Sequence, residues 1–175
     1  MGKKASKIAA LIITIPILII SIINLDDLTQ FAIYANCPTH NRLIYHLFHA
    51  NIFHALLNLW SFLAVVFITE ISIYRIIAAF IFATIIPIDF FATHIPSFGY
   101  PTVGLSAIIF FLFASLSFDV VNKRNFNIGM IVALGVGFIM PQSNGWIHLY
   151  CYIGGILYSL INHFKKTWIK LLNQY

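Results

Sequence analysis

Ser106 and His148 are polar residues within apolar stretches of the chain, and together they could perform nucleophilic catalysis. A serine hydroxyl is a poor nucleophile until a neighbouring base takes its proton, and neutral imidazole is the usual base. Gly104, two residues before Ser106, would let another backbone approach the hydroxyl closely. Each residue also has a simpler interpretation. A serine in an apolar helix often only packs or bonds to its own backbone, and a histidine that opens a helix is often structural.

The segment HLFHANIFHALLN, residues 46–58, supplies further polar groups at the start of another apolar run. His54 and Asn58 are four residues apart, so in a helix their side chains point the same way. An imidazole N–H and an amide N–H that face inward are suitable donors for the oxyanion that develops during acyl transfer. The alternative is a polar pair that only ties two helices together.

The composition predicts which elements position these residues. The chain has 175 residues, of which 61% are hydrophobic and only 9% charged, with a mean hydropathy of +0.92. Soluble domains are about a quarter charged, so we expect the solvent of this protein to be lipid. The net charge of +5 is then more typical of cytoplasmic loops than of nucleic-acid binding. Two cysteines, Cys37 and Cys151, do not make a disulfide framework.

Six apolar runs, separated by polar or Pro/Gly breaks, predict an all-α, polytopic bundle of six transmembrane helices in a single domain, 1–175. The runs are 8–23, 53–69, 73–91, 102–118, 126–140 and 146–164. The basic, apolar start is similar to a signal peptide, but no small-x-small cleavage motif follows it. We therefore expect the first helix to be retained.

The basic residues predict the orientation of these spans. With six crossings, nine of the ten Lys and Arg residues fall on one side and only Arg42 on the other. By the positive-inside rule both termini are cytoplasmic. Asp26, Asp27 and Asp89 then fall on the outer side. This plan favours a bacterial cytoplasmic membrane, with the polar cluster facing the non-cytoplasmic side.

The same orientation predicts that the candidate residues share one depth. His54 and Asn58 lie near the outer start of the second span, and His148 lies in the first turn of the sixth. Ser106 is expected four or five residues inside the fourth span, about 7 Å deep at 1.5 Å per residue.

A catalytic triad would lack its acid. Glu70 and Asp119 fall on the cytoplasmic side, and nothing in the sequence ties Asp89 to the histidine. The chemistry to consider is therefore a Ser–His dyad whose imidazole is held by packing. Phe110, one turn after Ser106, could stack on it.

The order, spacing and common depth of these residues resemble the rhomboid family of intramembrane serine proteases, in its basic six-helix form. The matching motifs are His49-x4-His54-x3-Asn58, Gly104-Leu105-Ser106-Ala107 and His148, with Arg42, Glu70 and a small-residue stripe of Cys151, Gly155 and Ser159 in support. Such a stripe would let the sixth span approach the fourth closely.

The resemblance implies a role for each residue. Ser106 would be the nucleophile, and His148 the general base and then the general acid. The backbone N–H of Ser106 and the side chains of His54 and Asn58 would form the oxyanion hole, and His49 would brace the first loop. The implied substrates are single-span membrane proteins in the lipid bilayer, cut near their outer end. The segment 141–145 would be a mobile cap, and no metal or other cofactor is implied.

The chain departs from the family pattern at four positions, Ala107, Cys151, Tyr74 and Asn41, none of which removes a catalytic group. Two rival hypotheses remain. One is an inactive rhomboid-like protein that binds client proteins. The other is a metal or haem protein that uses the histidines, namely His46, His49, His54, His94 and His148.

Overall fold

The computed structural model describes residues 2–23, 27–140 and 143–172. These residues form eight α-helices: α1 Gly2–Ile22, α2 Thr39–Ile44, α3 Ile52–Ile68, α4 Ile73–Thr84, α5 Ile88–Ala92, α6 Ser106–Ala114, α7 Lys123–Ile139 and α8 Gly145–Leu172. Among the described residues the only extended pairing is an isolated bridge between Ile33 and Thr102. The predicted all-α fold is thus confirmed for this part of the chain. Asp26 and Pro141, on which two predictions fall, lie outside it.

Helix α6 lies at the centre of the molecule and packs against α8, α4 and α3. Its side chains are buried on most sides, as in a helix that is apolar all round; they include Ala107, Ile108, Phe111 and Leu112. The contact with α8 is very close, because a Cβ added to Gly155 would lie 2.3 Å from the Phe111 carbonyl oxygen. Cys151 and Ser159 of the predicted small-residue stripe are buried on the same helix.

The predicted third span, 73–91, is interrupted. Helix α4 ends at Thr84, and the short α5 begins only at Ile88. Pro87 explains the break, because proline removes a backbone donor and disfavours helical geometry in the residue before it. The last part of the expected span, residues 85–91, is therefore a corner that leads into α5.

The predicted fourth span, 102–118, is wrong at both ends, since α6 covers only Ser106–Ala114. Thr102 exchanges two backbone hydrogen bonds with Ile33, of 2.9 and 3.0 Å, and is held in a bridge. Gly104 has a φ of +126°, which a helix cannot accommodate. Ser106 is consequently the first residue of its helix, not four or five residues inside it.

The remaining predicted spans correspond to helices with shifted ends. Predicted 53–69 and 126–140 become α3 and α7, each within three residues at either end. Predicted 8–23 extends back to Gly2, and predicted 146–164 extends forward to Leu172. Both extensions contain lysines. Lysine is a good helix former, so these residues continue the helices beyond the apolar runs.

Length and composition mark one helical segment, Lys3–Ile22 with a hydropathy of 2.3, as able to cross a membrane. A second candidate arises if Thr39–Leu47 and Ile52–Ile68, bent by 84° at their junction, are counted as one span. Ile73–Thr84 is apolar but shorter. A soluble core helix or a signal sequence would pass the same test, so this finding is weak support for membrane association. The six-span bundle stays a prediction.

Basic residues are paired with carboxylates at one end of the bundle. Glu70, with a φ of +50°, accepts from Lys3 at 2.5 Å and lies 3.7 Å from Lys7. Asp119 pairs with Arg75 and, at 2.9 Å, with Lys166. Partial burial acts to raise the pKa of Asp119, but its hydrogen bonds from these two cations outweigh burial and lower the pKa below 3.8.

The loop between α1 and α3 packs against the protein at the opposite end. Arg42 donates to the Ile86 carbonyl oxygen at 2.6 Å and to Asp89 at 2.8 Å. The buried Asn41 donates to the Ala32 carbonyl oxygen at 2.8 Å. Asn41, one of the departures from the family pattern, thus fastens the loop internally, while Arg42 ties it to the α4–α5 corner.

Candidate active site

Ser106 and His148 come together at the junction of α6 and α8. The Nε2 atom of His148 lies 2.7 Å from the Ser106 Oγ atom, across 42 residues of sequence. The first residue of α6 and the first turn of α8 supply the two side chains. The close approach at Gly155 fixes how near the two helices lie, so this hydrogen bond follows from the packing of the helices. Cys151, one of the departures from the family pattern, does not prevent it.

The ring of His148 is held from two further directions. Phe110 stacks on it, with ring centroids 4.4 Å apart and planes 22° from parallel. The Nδ1 atom faces the Ser143 hydroxyl at 3.4 Å. The predicted stacking of Phe110 is therefore present in the structure, whereas Ser143 was not singled out from the sequence. A hydroxyl five residues before a histidine gives no periodic signal, because it lies outside the helix.

Asp89, which nothing in the sequence ties to His148, is occupied by other partners. Its two carboxylate oxygens bind the side chain of Arg42 and the backbone N–H of Asn36. Within the described residues, the partner of the His148 Nδ1 atom is the Ser143 hydroxyl, and no carboxylate lies at that position. The arrangement is that of a dyad.

His54 and Asn58 line the same cavity as Ser106. This cavity has a volume of about 260 Å³, and its walls come from α3, α6 and α7. The Asn58 amide donates one hydrogen bond to the His54 carbonyl oxygen at 3.0 Å. A side-chain amide has two N–H donors, so the second remains for a group in the cavity. Met130 and Ala133 of α7 complete the wall opposite α3.

Gly104 and His49 shape the segment that leads into Ser106. The backbone N–H of Leu105 donates to His49 Nε2 at 3.3 Å, and that of Gly104 donates to the Tyr45 carbonyl oxygen at 2.9 Å. A Cβ added to Gly104 would lie 3.3 Å from His54 Cε1. The backbone φ of Gly104 is also in the region that favours glycine. His49 therefore joins the first loop to the serine segment.

Three predicted support residues lie outside the cavity. Arg42 and Glu70 act at opposite ends of the bundle, through the contacts with Asp89 and with Lys3 and Lys7. Gly155 lies two turns further along α8 than His148, away from the contact between His148 and Ser106. None of the three contacts the reacting atoms, so their contribution is to hold the helices and the first loop in place.

Two asparagines at helix starts complete the site. Asn51 caps α3 by accepting from the His54 backbone N–H at 2.9 Å. Asn144 precedes α8, accepts from the Ile147 N–H at 3.3 Å, and donates to Thr102 Oγ1 at 3.0 Å. It thereby links the start of the histidine helix to the segment before Ser106. Asparagine before an apolar run is a recognisable cap signal, but the contact with Thr102 is long-range.

The histidines do not form a metal centre in the described part of the chain, where no three His, Cys, Asp or Glu side chains are grouped suitably for an ion. His49 and His54 are neighbours, with ring centroids 5.2 Å apart. His46 is buried beside Tyr45 and Phe80 instead, and His94 lies against Phe90. The geometry gives the metal hypothesis no support.

Comparison with known proteins assigns no family: no family model matches the chain, and no curated protein matches it. The resemblance to rhomboids therefore rests on the motifs and on the arrangement of their side chains.

Proposed function

We propose that this protein is an intramembrane serine endopeptidase of the rhomboid type. The observation that carries the proposal is the 2.7 Å contact between Ser106 Oγ and His148 Nε2, made by residues on two different helices. The contact opens onto a cavity that also presents His54 and Asn58. A nucleophile, its base and candidate oxyanion donors thus meet at one place, as acyl transfer requires.

The proposed reaction proceeds through an acyl-enzyme. Ser106 Oγ attacks the peptide carbonyl carbon while its proton passes to His148 Nε2. The oxyanion accepts hydrogen bonds from the Ser106 backbone N–H, the His54 ring and the free N–H of Asn58. The imidazolium then protonates the departing amine, and a water molecule, activated by the same ring, releases the acyl group and restores the serine.

Phe110 and Ser143 stabilise the imidazolium that forms during this reaction. The Phe110 ring offers its electron-rich face at 4.4 Å. The Ser143 hydroxyl can accept from Nδ1–H and so fix the tautomer that leaves Nε2 free to take the serine proton. These two contacts replace the carboxylate of a triad.

Apolar exposure and charge support placing the site in a membrane. The long helices carry exposed apolar side chains, such as Ile12 on α1, Trp60 on α3, Ile131 on α7 and Ile161 on α8. Many exposed apolar side chains on several helices suit a lipid environment. His148 and Lys166 are separated by about 27 Å along α8, at 1.5 Å per residue. That distance is close to the roughly 30 Å of a bilayer core.

Proteolysis in liposomes tests the proposed activity. We expect the purified chain to cleave single-span substrate proteins near the end that faces the Ser106 side, and Ser106→Ala and His148→Ala to lose at least about a thousandfold in rate. The measurement is product formation by gel and mass spectrometry, with a panel of single-span segments.

Two matched variants serve as controls. Ser72→Ala removes a serine before α4 that makes no side-chain capping bond, and His163→Ala removes an exposed histidine on the same helix as His148. Both should retain activity. Cleavage by Ser106→Ala at the parental rate, or a folded chain that binds the segments without cutting any, would exclude the protease and favour the client-binding hypothesis.

A further inference from the structure

The end of α7 lies directly on the start of α8, beside the ring of His148. A Cβ added to Gly145 would lie 2.6 Å from Phe138 Cγ and 3.0 Å from Phe138 Cα, so the first residue of α8 nearly touches the α7 backbone. The Phe138 ring meets Trp146 edge-on, with centroids 5.1 Å apart. The two helices are therefore close enough for the backbone of α7 to reach the first turn of α8.

Gly137 is the residue of α7 that faces His148. It belongs to a buried stripe with Met130 and Leu134, at the spacing of one helix face. A Cβ added to Gly137 would lie 3.1 Å from His148 Nδ1 and 3.5 Å from Ser143 Oγ. The first distance is shorter than the roughly 3.5–4.0 Å that nonbonded heavy atoms prefer. A side chain at this position would therefore displace α7, the imidazole or the Ser143 hydroxyl.

The contact between His148 Nδ1 and the Ser143 hydroxyl is the one that such a displacement would break. Two other sides of the ring are occupied, since Phe110 stacks on it with centroids 4.4 Å apart and Nε2 lies 2.7 Å from Ser106 Oγ. The distance of 3.4 Å to the Ser143 hydroxyl is already near the limit for a hydrogen bond. Ser143 follows α7 in the chain, so a shift of the end of α7 would carry its hydroxyl away from the ring.

We propose that Gly137 is a positioning residue for His148. Because it presents no side chain, the end of α7 can close on the Nδ1 edge of the ring and keep the Ser143 hydroxyl as its partner. The proton then stays on Nδ1, and Nε2 is free to take the proton of Ser106. The expected effect on rate rests on the proposed serine chemistry. The tautomer of the ring is a property of the resting protein and can be measured whether or not the chain cleaves a substrate.

The rate of reaction with a fluorophosphonate probe tests the effect of Gly137 on the nucleophile. Gly137→Ala should slow modification of Ser106 roughly tenfold, because a base in the wrong tautomer cannot take the serine proton. Gly135→Ala, the matched control, adds the same methyl group where it meets no atom within 4 Å in the described part of the chain, and should react like the parental protein. In a Ser143→Ala background, Gly137→Ala should change the rate less than about twofold, because the contact through which it acts is already lost.

The tautomer of His148 is a readout that a loss of packing alone would not move. In protein with nitrogen-15-labelled histidine, protonated and unprotonated ring nitrogens give distinct signals in the NMR spectrum of the neutral ring, and His148→Ala identifies the signals of this residue. We expect the parental protein and Gly135→Ala to carry the proton on Nδ1. Gly137→Ala and Ser143→Ala should show a mixture of the two tautomers.

A nuclear Overhauser contact between the α-protons of Gly137 and the His148 ring needs no variant, and keeps the test decisive if Gly137→Ala does not fold. Its absence from the parental protein would overturn the inference. Equal rates and tautomers for Gly137→Ala and Gly135→Ala would do the same, as would a full further loss of rate when Gly137→Ala is added to Ser143→Ala. Failure of the parental chain to react at Ser106 would contradict the proposed function instead, and the tautomer and the Overhauser contact would still decide the role of Gly137.

Discussion

At the residue scale, the candidate site depends on hydrogen-bond donors and acceptors whose geometry is set by neighbours close in space but distant in sequence. Asn58 shows this most clearly. One of its amide N–H groups is used by the His54 carbonyl oxygen of the same helix, which orients the amide towards the Ser106 cavity. The hydrogen bond from the second N–H would then be stronger to the oxyanion of the transition state than to the neutral carbonyl oxygen of the substrate.

Asn58→Ala should therefore lower kcat by roughly a hundredfold to a thousandfold while changing KM little. Steady-state cleavage of a fluorescent substrate in liposomes measures both constants. Asn162→Ala, which removes an asparagine that donates to the Tyr158 carbonyl oxygen of its own helix, α8, is the matched control and should retain kcat. A rise in KM alone for Asn58→Ala would mean that the amide only ties helices together.

At the element scale, the contact between α6 and α8 determines whether the serine and the histidine can meet. Gly155 faces the backbone of α6, where an added Cβ would lie 2.3 Å from the Phe111 carbonyl oxygen and 2.6 Å from Ala114 Cβ. Backbone atoms cannot move aside as the end of a side chain can. A methyl group at this position must push the two helices apart.

Gly155→Ala should lower the free energy of unfolding by about 1–3 kcal/mol, as overpacking usually does, and should reduce cleavage as well. Gly135→Ala is the control, since among the residues that the structure describes a Cβ there meets no atom within 4 Å. That variant should be unchanged, or more stable by up to about 1 kcal/mol through helix propensity. Denaturant titration in detergent micelles measures both. Equal stability and activity of the two variants would contradict the role given to Gly155.

The elements also show how far sequence could predict this site. The meeting of Ser106 with His148, the stacking of Phe110 and the small residue at Gly155 could be predicted, because helical periodicity and the order and spacing of the motifs carry that information. The true start of α6 was not. It depends on the Thr102 bridge to Ile33 and on the positive φ of Gly104, which are long-range and conformational properties.

At the scale of the whole molecule, two features are consistent with the proposed placement of the bundle in a bilayer. Exposed apolar side chains surround the long helices, and the pairs of Lys3 and Lys7 with Glu70, and of Arg75 and Lys166 with Asp119, gather at one end. The candidate site is at the other end. Six crossings with the basic end in the cytoplasm would account for both features.

Cysteine labelling along the chain tests the second, third and fourth of the predicted crossings. In a protein with Cys37→Ala, single substitutions at exposed positions, His40→Cys, Tyr74→Cys, Tyr100→Cys and Lys123→Cys, should alternate between outside and inside. A membrane-impermeant maleimide applied to intact cells should label the first and third, and the other two only after permeabilisation. Labelling of all four in intact cells, or of none, would contradict the predicted topology.

The central claim is that His148 activates Ser106, and reaction with a fluorophosphonate probe measures this most directly. We expect the probe to modify the parental chain at Ser106, as mapped by mass spectrometry. Ser106→Ala should not be labelled, and His148→Ala should be labelled at least about a hundredfold more slowly. Ser72→Ala and His163→Ala should react like the parental chain. Equal labelling of Ser106→Ala, His148→Ala and the parental chain would contradict the account.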